Sequence, residues 1–213
     1  MTPRPYKGAG RQLAADATRE RVIRATRDIL MGREGLARLS IDAVAARAGV
    51  ARMTVYYQFK SKAGLLEAFF DSVAARGPFE RIGPAMQLAD PLDTLDEVVA
   101  IFGEFWDRNR AAHGRLFAAA QHDRVLEQGM QKRNERRRTV MRAVVDRLGP
   151  WRGAAGAKRS LELVDALFAM TGFHMFDQLA HGDRPTVQSV GIVQRLARDA
   201  VTAAAAPRPR KSR

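Results

Sequence analysis

Arg52, Met53, Thr54 and Tyr57 stand close together on one short stretch whose apolar partners Val55 and Phe59 point elsewhere. Read as a helix, the stretch leaves those four side chains on its outer side. They carry hydrogen-bond donors, an acceptor hydroxyl and a bulky apolar group, the chemistry that meets base edges in a major groove. Catalytic constellations are missing by comparison. His113, His122, His174 and His181 show no HExxH or carboxylate-bridged spacing, so each reads as structural or exposed and no metal site is expected. The chain has no cysteine, which excludes thiolate ligands, disulfides and a cysteine nucleophile and suits a reducing cytoplasm. No phosphate-cradling loop, dinucleotide fingerprint or nucleophile elbow occurs, no cofactor is expected, and the expectation is that the chain is not an enzyme.

Charge placement points the same way. Residues 1–62 carry 13 Lys/Arg against 5 Asp/Glu, and residues 207–213 carry 4 basic residues and no acid. The stretch 63–206 is nearly balanced, with 19 basic and 18 acidic residues, within a net charge of +13. Basic clusters at the ends of a neutral body are the electrostatic footprint of polyanion binding, nucleic acid before membrane. An architectural DNA protein without sequence preference would want basic charge over the whole body. An all-helical enzyme drawing in an acidic substrate would need a catalytic constellation. A sequence-specific DNA-binding protein fits better than either. No apolar run is long enough to cross a bilayer and no apolar segment follows the basic N-terminus, so a cytoplasmic protein is expected.

The elements that must position these residues all read as helices. Val22, Ala25, Ile29 and Leu30 give a first helix over Thr18 to Leu30; Ser40 to Ala48 and Ala51 to Phe59 follow, and Ser61 caps a fourth through Leu65, Leu66, Phe69 and Phe70. Gly77-Pro78 breaks the pattern, and the chain to Asp90 reads as loop. Asp90-Pro91 opens a helix through Phe102, Phe105 and Trp106. Further helices are expected at Ala111 to Ala120, Asp123 to Leu148, Ala157 to Ala180 and Thr186 to Ala205, about nine in all, with no alternating strand pattern. The run Lys132 to Arg138 (KRNERRR) reads as a solvated helix face rather than a second nucleic-acid site.

Between Ser40 and Phe59 the residue types suit two short helices meeting at a wide angle. Ala45 is small where the helices touch, Gly49 tolerates the positive φ of the turn, and Val44, Ala48, Val50 and Val55 are apolar toward the first helix. Any one of these alone would fit an ordinary helical hairpin; their alignment inside the basic third of the chain favours a helix-turn-helix.

The stretch resembles the DNA-binding domain of the TetR family of transcriptional regulators. The resemblance rests on Ser40, Val44-Ala45, Ala48-Gly49-Val50, Val55-Tyr56, Phe59 and Ser61-Lys62, all in register, and it is close over about Arg19 to Asp71. It implies an all-α chain with a three-helix, helix-turn-helix DNA-binding domain and a larger helical ligand-binding and dimerisation domain. The boundaries expected are a basic arm over 1–16, the DNA-binding domain over 17–77 with its helix-turn-helix at 40–59, the C-terminal domain over 78–206, and a disordered basic tail over 207–213. Three positions depart from the family's pattern: Ala51 where a serine often caps the recognition helix, Met53 for a common glycine, and Gln58 where histidine or tyrosine is frequent.

The resemblance also implies roles. Ser40, Tyr56 and Lys62 would contact phosphates; Arg52, Met53, Thr54 and Tyr57 would face base edges or flanking phosphates, with Arg52 suited to a bidentate guanine contact and Met53 to a thymine methyl. Arg4, Lys7 and Arg11 would lie along the backbone or in a minor groove as an ordering arm, or else form a disordered tail. The partners implied are a palindromic double-stranded operator, a second copy of the chain paired through 157–180 and 186–205, and a mostly apolar small-molecule effector. Phe102, Trp106, Phe117, Met141 and Phe168, with His122, Thr171 and His174 as polar groups, are the residues expected around the effector, although any single one reads equally as core. Release of the operator by the effector would make the protein a repressor, and linkage makes that coupling reciprocal.

Overall fold

The computed structural model describes residues 6–32, 35–182 and 184–206. Among them are eleven α-helices and no strand: α1 (Tyr6–Met31), α2 (Ile41–Ala48), α3 (Arg52–Phe59), α4 (Lys62–Ala74), α5 (Ile82–Ala85), α6 (Pro91–Arg108), α7 (Arg110–Ala120), α8 (Arg124–Arg147), α9 (Gly153–Met170), α10 (Phe173–Leu179) and α11 (Thr186–Ala205), with short 3-10 turns at Gly35–Arg38 and Pro78–Arg81. The chain forms two compact units, one of residues 1–76 with 114–130, the other of 77–113 with 131–213.

In the first unit the hydrophobic spacing of each helix converges on one core. Val22 of α1, Val44 of α2, Val55 of α3 and Leu65 of α4 are fully buried, and Leu116 and Leu126 join the same cluster. Ala45 is buried where α2 meets its neighbours, while Ala48 and Val50 are partly buried against the cluster. Ser40 caps α2 by accepting the Ala43 N–H at 3.1 Å, and Gly49 ends it at φ +65°, in the left-handed region where a side chain would be strained.

Helix α1 begins at Tyr6, well before the expected start at Thr18. Residues 10–17 are exposed, so no apolar period marks them. Their helix is supported instead by local polar contacts: the Gln12 amide donates to Asp16 at 3.1 Å and the Thr18 hydroxyl to the Ala14 carbonyl at 2.8 Å.

The second unit is built around α6, whose Leu95, Val98, Val99 and Ile101 are fully buried. It packs on α11 so closely that a Cβ at Gly103 would lie 2.6 Å from a Val190 methyl and 2.8 Å from the Phe176 ring. The stretch read as loop before Asp90 holds the Pro78–Arg81 turn and α5. The helix expected over 157–180 is broken at Thr171-Gly172 into α9 and α10, which together with α5 accounts for the larger helix number. The break has a physical cause. The Trp106 indole N–H donates to the Thr171 carbonyl at 2.9 Å, and the Arg137 guanidinium donates to the Phe168 carbonyl, so side chains take carbonyls that a continuing helix would use.

His113 is buried edge-on against Phe105 and Trp106, with Phe173 alongside, and its Nδ1 lies 3.1 Å from the Asn109 carbonyl, which fixes the proton on that nitrogen. Burial pushes its pKa below the usual histidine value, more than the Asn109 bond raises it. The unfolded chain then takes up a proton at a pH where the folded chain does not, so stability falls as pH drops below about 6.5. Urea denaturation between pH 8 and 5.5 should show this slope, and His113→Leu should flatten it. An unchanged slope in the variant would assign the effect elsewhere.

Candidate nucleic-acid interface

Helix α3 sets its buried side by Val55 and Phe59 and so presents the opposite side to solvent. There Met53 is 72% and Tyr57 79% exposed, beside exposed Arg52 and Tyr56, while Thr54 is half-buried at the edge. Large apolar and aromatic side chains left outward on a small unit with a full core mark a contact surface. Ala51 caps α3 without a side-chain hydrogen bond, as its methyl requires. Arg52 is oriented by two neighbours: its Nε lies 3.3 Å from an Asp42 carboxylate oxygen, and its guanidinium carbon sits 5.6 Å from the Tyr56 ring centre. Lys60 ends the helix at φ +65° with its ammonium 5.0 Å from the Tyr57 ring. This leaves a second cation beside the exposed face that the sequence comparison did not single out.

Ser40 is exposed at the start of α2. Arg11 lies within α1 rather than in a segment preceding it, and Arg4 lies outside the described residues, as does the stretch 207–213; of Lys7 only the helical backbone is described. Gln58 is turned inward, its amide donating to the Ala15 carbonyl at 3.3 Å, so it ties the recognition helix to α1 instead of facing solvent.

Lys62 is placed differently from its implied role. Its ammonium is bound to Asp123 at 2.8 Å, and Asp123 also caps α8 by accepting the N–H groups of Val125 and Leu126, each at 2.9 Å. Burial alone would raise the Asp123 pKa; the Lys62 hydrogen bond and charge, with the two backbone amides, outweigh it and hold the group below the usual carboxylate range. A phosphate would have to compete with this carboxylate for Lys62. Asp123→Asn keeps a cap acceptor and frees the ammonium. The variant should bind all duplexes more tightly, with a salt slope steeper by about one, and be less stable by about 1 kcal/mol. Unchanged affinity and slope in a salt titration would show that Lys62 takes no part in binding.

The residues expected around an effector divide between the units. Phe102, Trp106, Met141 and Thr171 are buried together in the second; Trp106 bonds Thr171, and the Thr171 hydroxyl lies 3.7 Å from the Met141 sulfur. Phe168 is half-buried, and His174 is exposed on α10 with its ring against Phe173. Phe117 and His122 belong to the first unit, His122 in an exposed turn. A separate open cleft of about 400 Å³ is lined by Pro84, Ala85 and Leu88 together with Arg81, Asp93, Asp96, Glu97 and Gln194. Among the described residues no group of three His, Asp or Glu is placed to hold a metal, and no helix is long and apolar enough to cross a membrane.

Comparison with known proteins agrees with this geometry. Residues 23–69 match the model of the bacterial regulatory proteins of the tetR family. No curated protein matches the chain. Among solved structures, similarity extends to NalD, the secondary repressor of the MexAB-OprM multidrug efflux pump in Pseudomonas aeruginosa, at 17% identity over 88% of this chain and 96% of that one, with a TM-score of 0.61. A TetR transcription regulator from Haloarcula marismortui aligns at 18% identity over 88% and 98%, with a TM-score of 0.56. A TetR-like regulator from Rhodococcus sp. RHA1 aligns at 20% over 87% and 96%, with a TM-score of 0.54. At such identities the structures establish the fold, and the family match establishes that residues 23–69 of this chain form a DNA-binding domain of the tetR type.

Proposed function

We propose that the chain is a homodimeric repressor, working in the cytoplasm, that reads a palindromic operator with α3 and releases it when a small molecule binds the C-terminal unit. The reading is carried by the outward face of α3, where Arg52, Met53, Tyr56 and Tyr57 stand exposed on a helix whose other side is locked into the core. Arg52 would read a base, Ser40 and Tyr56 would contact phosphates, and Thr54 would sit at the groove edge. A second copy is supported by Leu161 on α9 and by Val187 and Leu196 on α11, which are 51%, 74% and 42% exposed on helices that pack against each other. Twofold pairing through those faces would match two half-sites. An effector that favours a differently spaced dimer lowers operator affinity by the factor by which operator lowers effector affinity.

The test is selection from random duplexes with the purified chain, followed by salt titration on the enriched sequence. A palindromic consensus and a steep slope, reflecting about 6–10 phosphate contacts, are expected. Binding without enrichment would replace the repressor by a sequence-independent DNA protein. Absence of binding to any duplex would remove the DNA-binding role.

A further inference from the structure

Arg137 lies near the end of the run that reads as a solvated face, yet it is only 7% exposed, the one buried arginine or lysine among the described residues. Its guanidinium is stacked on the Phe168 ring at 3.8 Å, and the Arg138 guanidinium approaches the same ring at 4.2 Å. Every acceptor it reaches is neutral: the Phe168 carbonyl, the Thr171 hydroxyl at 3.1 Å and the Asn134 side-chain oxygen at 3.3 Å. Its Nε–H is buried and has no partner. Three other arginines of this unit are matched with acids, Arg81 with Glu97 and Glu104, Arg198 with Asp96, and Arg138 with Asp165, while Arg147, which donates to the Met86 and Leu88 carbonyls and the Thr94 hydroxyl, is only half-buried. Burial and the neighbouring Arg138 hold the Arg137 pKa down to about 10, which still leaves it a cation at neutral pH. A buried cation facing only neutral dipoles is costly, and an anion would relieve it.

The edge left without a partner has a definite shape. Nε is unused and the Asn134 contact on Nη2 is long, so these two N–H groups form the fork that fits a carboxylate with two parallel hydrogen bonds. Gly172, at the α9–α10 break, lies beside the guanidinium: a Cβ there would sit in ordinary contact, 3.5–3.6 Å from Nη1 and Nη2. Apolar groups surround the same place, with Phe168 on the guanidinium and Trp106 and Met141 both in contact with Thr171.

We propose that Arg137 receives the acid group of the effector, so that the ligand of this unit is an organic carboxylate with an apolar body. The inference rests on the effector reading given above and narrows it to a chemical class. Binding would replace the Asn134 contact and draw on the same Arg137 that now holds the Phe168 carbonyl and Thr171. It would therefore act on the α9–α10 break directly.

The test uses the full-length chain with two probe pairs, decanoate against 1-decanol and 1-naphthoate against 1-naphthalenemethanol, measured by calorimetry at neutral pH. At least one acid should bind tenfold or more tightly than its alcohol. Arg137→Gln should remove the difference, and Arg137→Lys, which keeps the charge without the fork, should retain part of it. Circular dichroism and melting would show whether each variant is folded; if Arg137→Gln is not, the acid-to-alcohol ratio of the native chain decides. Equal binding of acid and alcohol would overturn the anion proposal while leaving a neutral effector site in place. Binding of neither would overturn it as well. In that case the uncharged dye Nile red, titrated separately, would show whether any apolar site exists in the unit.

Discussion

Gly64→Ala is expected to abolish duplex binding and to lower stability by about 3 kcal/mol, at the upper end of ordinary overpacking costs. At Lys60 the chain reverses with φ +65° and ψ −36°, which folds the Phe59 carbonyl back over the first turn of α4. A Cβ at Gly64 would lie 2.1 Å from that carbonyl oxygen and 3.3 Å from its carbon, and the obstacle is backbone, which cannot rotate away as a side-chain tip can. The same turn is pinned by Ser61, whose hydroxyl accepts the Gly64 N–H at 3.1 Å, and by Leu65 and Leu66, both buried. Relief therefore requires the α3–α4 junction to open, which displaces Phe59 from the core and turns the recognition face with it. Gly10→Ala is the control. It stands exposed in α1 with nothing within 4 Å of its Cβ, so the substitution should leave binding intact and raise stability by about 0.5–1 kcal/mol. Thermal melting and a duplex titration check both. Native melting in Gly64→Ala would mean that the junction relaxes without cost.

The contrast between those two glycines also shows what the sequence could and could not reveal. The helix-turn-helix was legible because each of its requirements selects a residue type: a small Ala45 at the crossing, Gly49 at positive φ, and apolar positions toward α1. The first half of α1 was not, because hydrophobic periodicity reports burial, and residues 10–17 are helical without being buried. The α9–α10 break was hidden for the opposite reason. Apolar positions continue across it, and it is made by Trp106 and Arg137, far away in sequence. Arg137 itself left a signal that its neighbours masked: it stands seven residues after Met130 and four before Met141, on the face that α8 buries, inside a run whose composition suggests solvent. Lys62 and Asp42 had no such signal. Their partners, Asp123 and Arg52, are settled only when the helices pack.

The Asp42–Arg52 pair carries the last prediction. Arg52→Ala is expected to weaken binding to the selected operator by about 1–3 kcal/mol, roughly 5- to 150-fold, with little change on random duplex. The argument comes from which edge of the guanidinium is occupied. Asp42 engages Nε at 3.3 Å, which steadies the side chain while leaving its terminal nitrogens to meet guanine O6 and N7. Both partners are well exposed, 58% and 63%, so the pair adds little to stability and the variants should melt as the native chain does. Asp42→Ala should then lose part of the same selectivity, because Arg52 keeps its charge but no longer its aim. In the double variant the Asp42 change should cost nothing further, the signature of two groups acting as one. If Arg52→Ala instead weakens operator and random duplex equally, the residue contacts phosphate. Asp42→Ala would then be expected to strengthen binding to every sequence, because it removes a negative charge from beside the backbone.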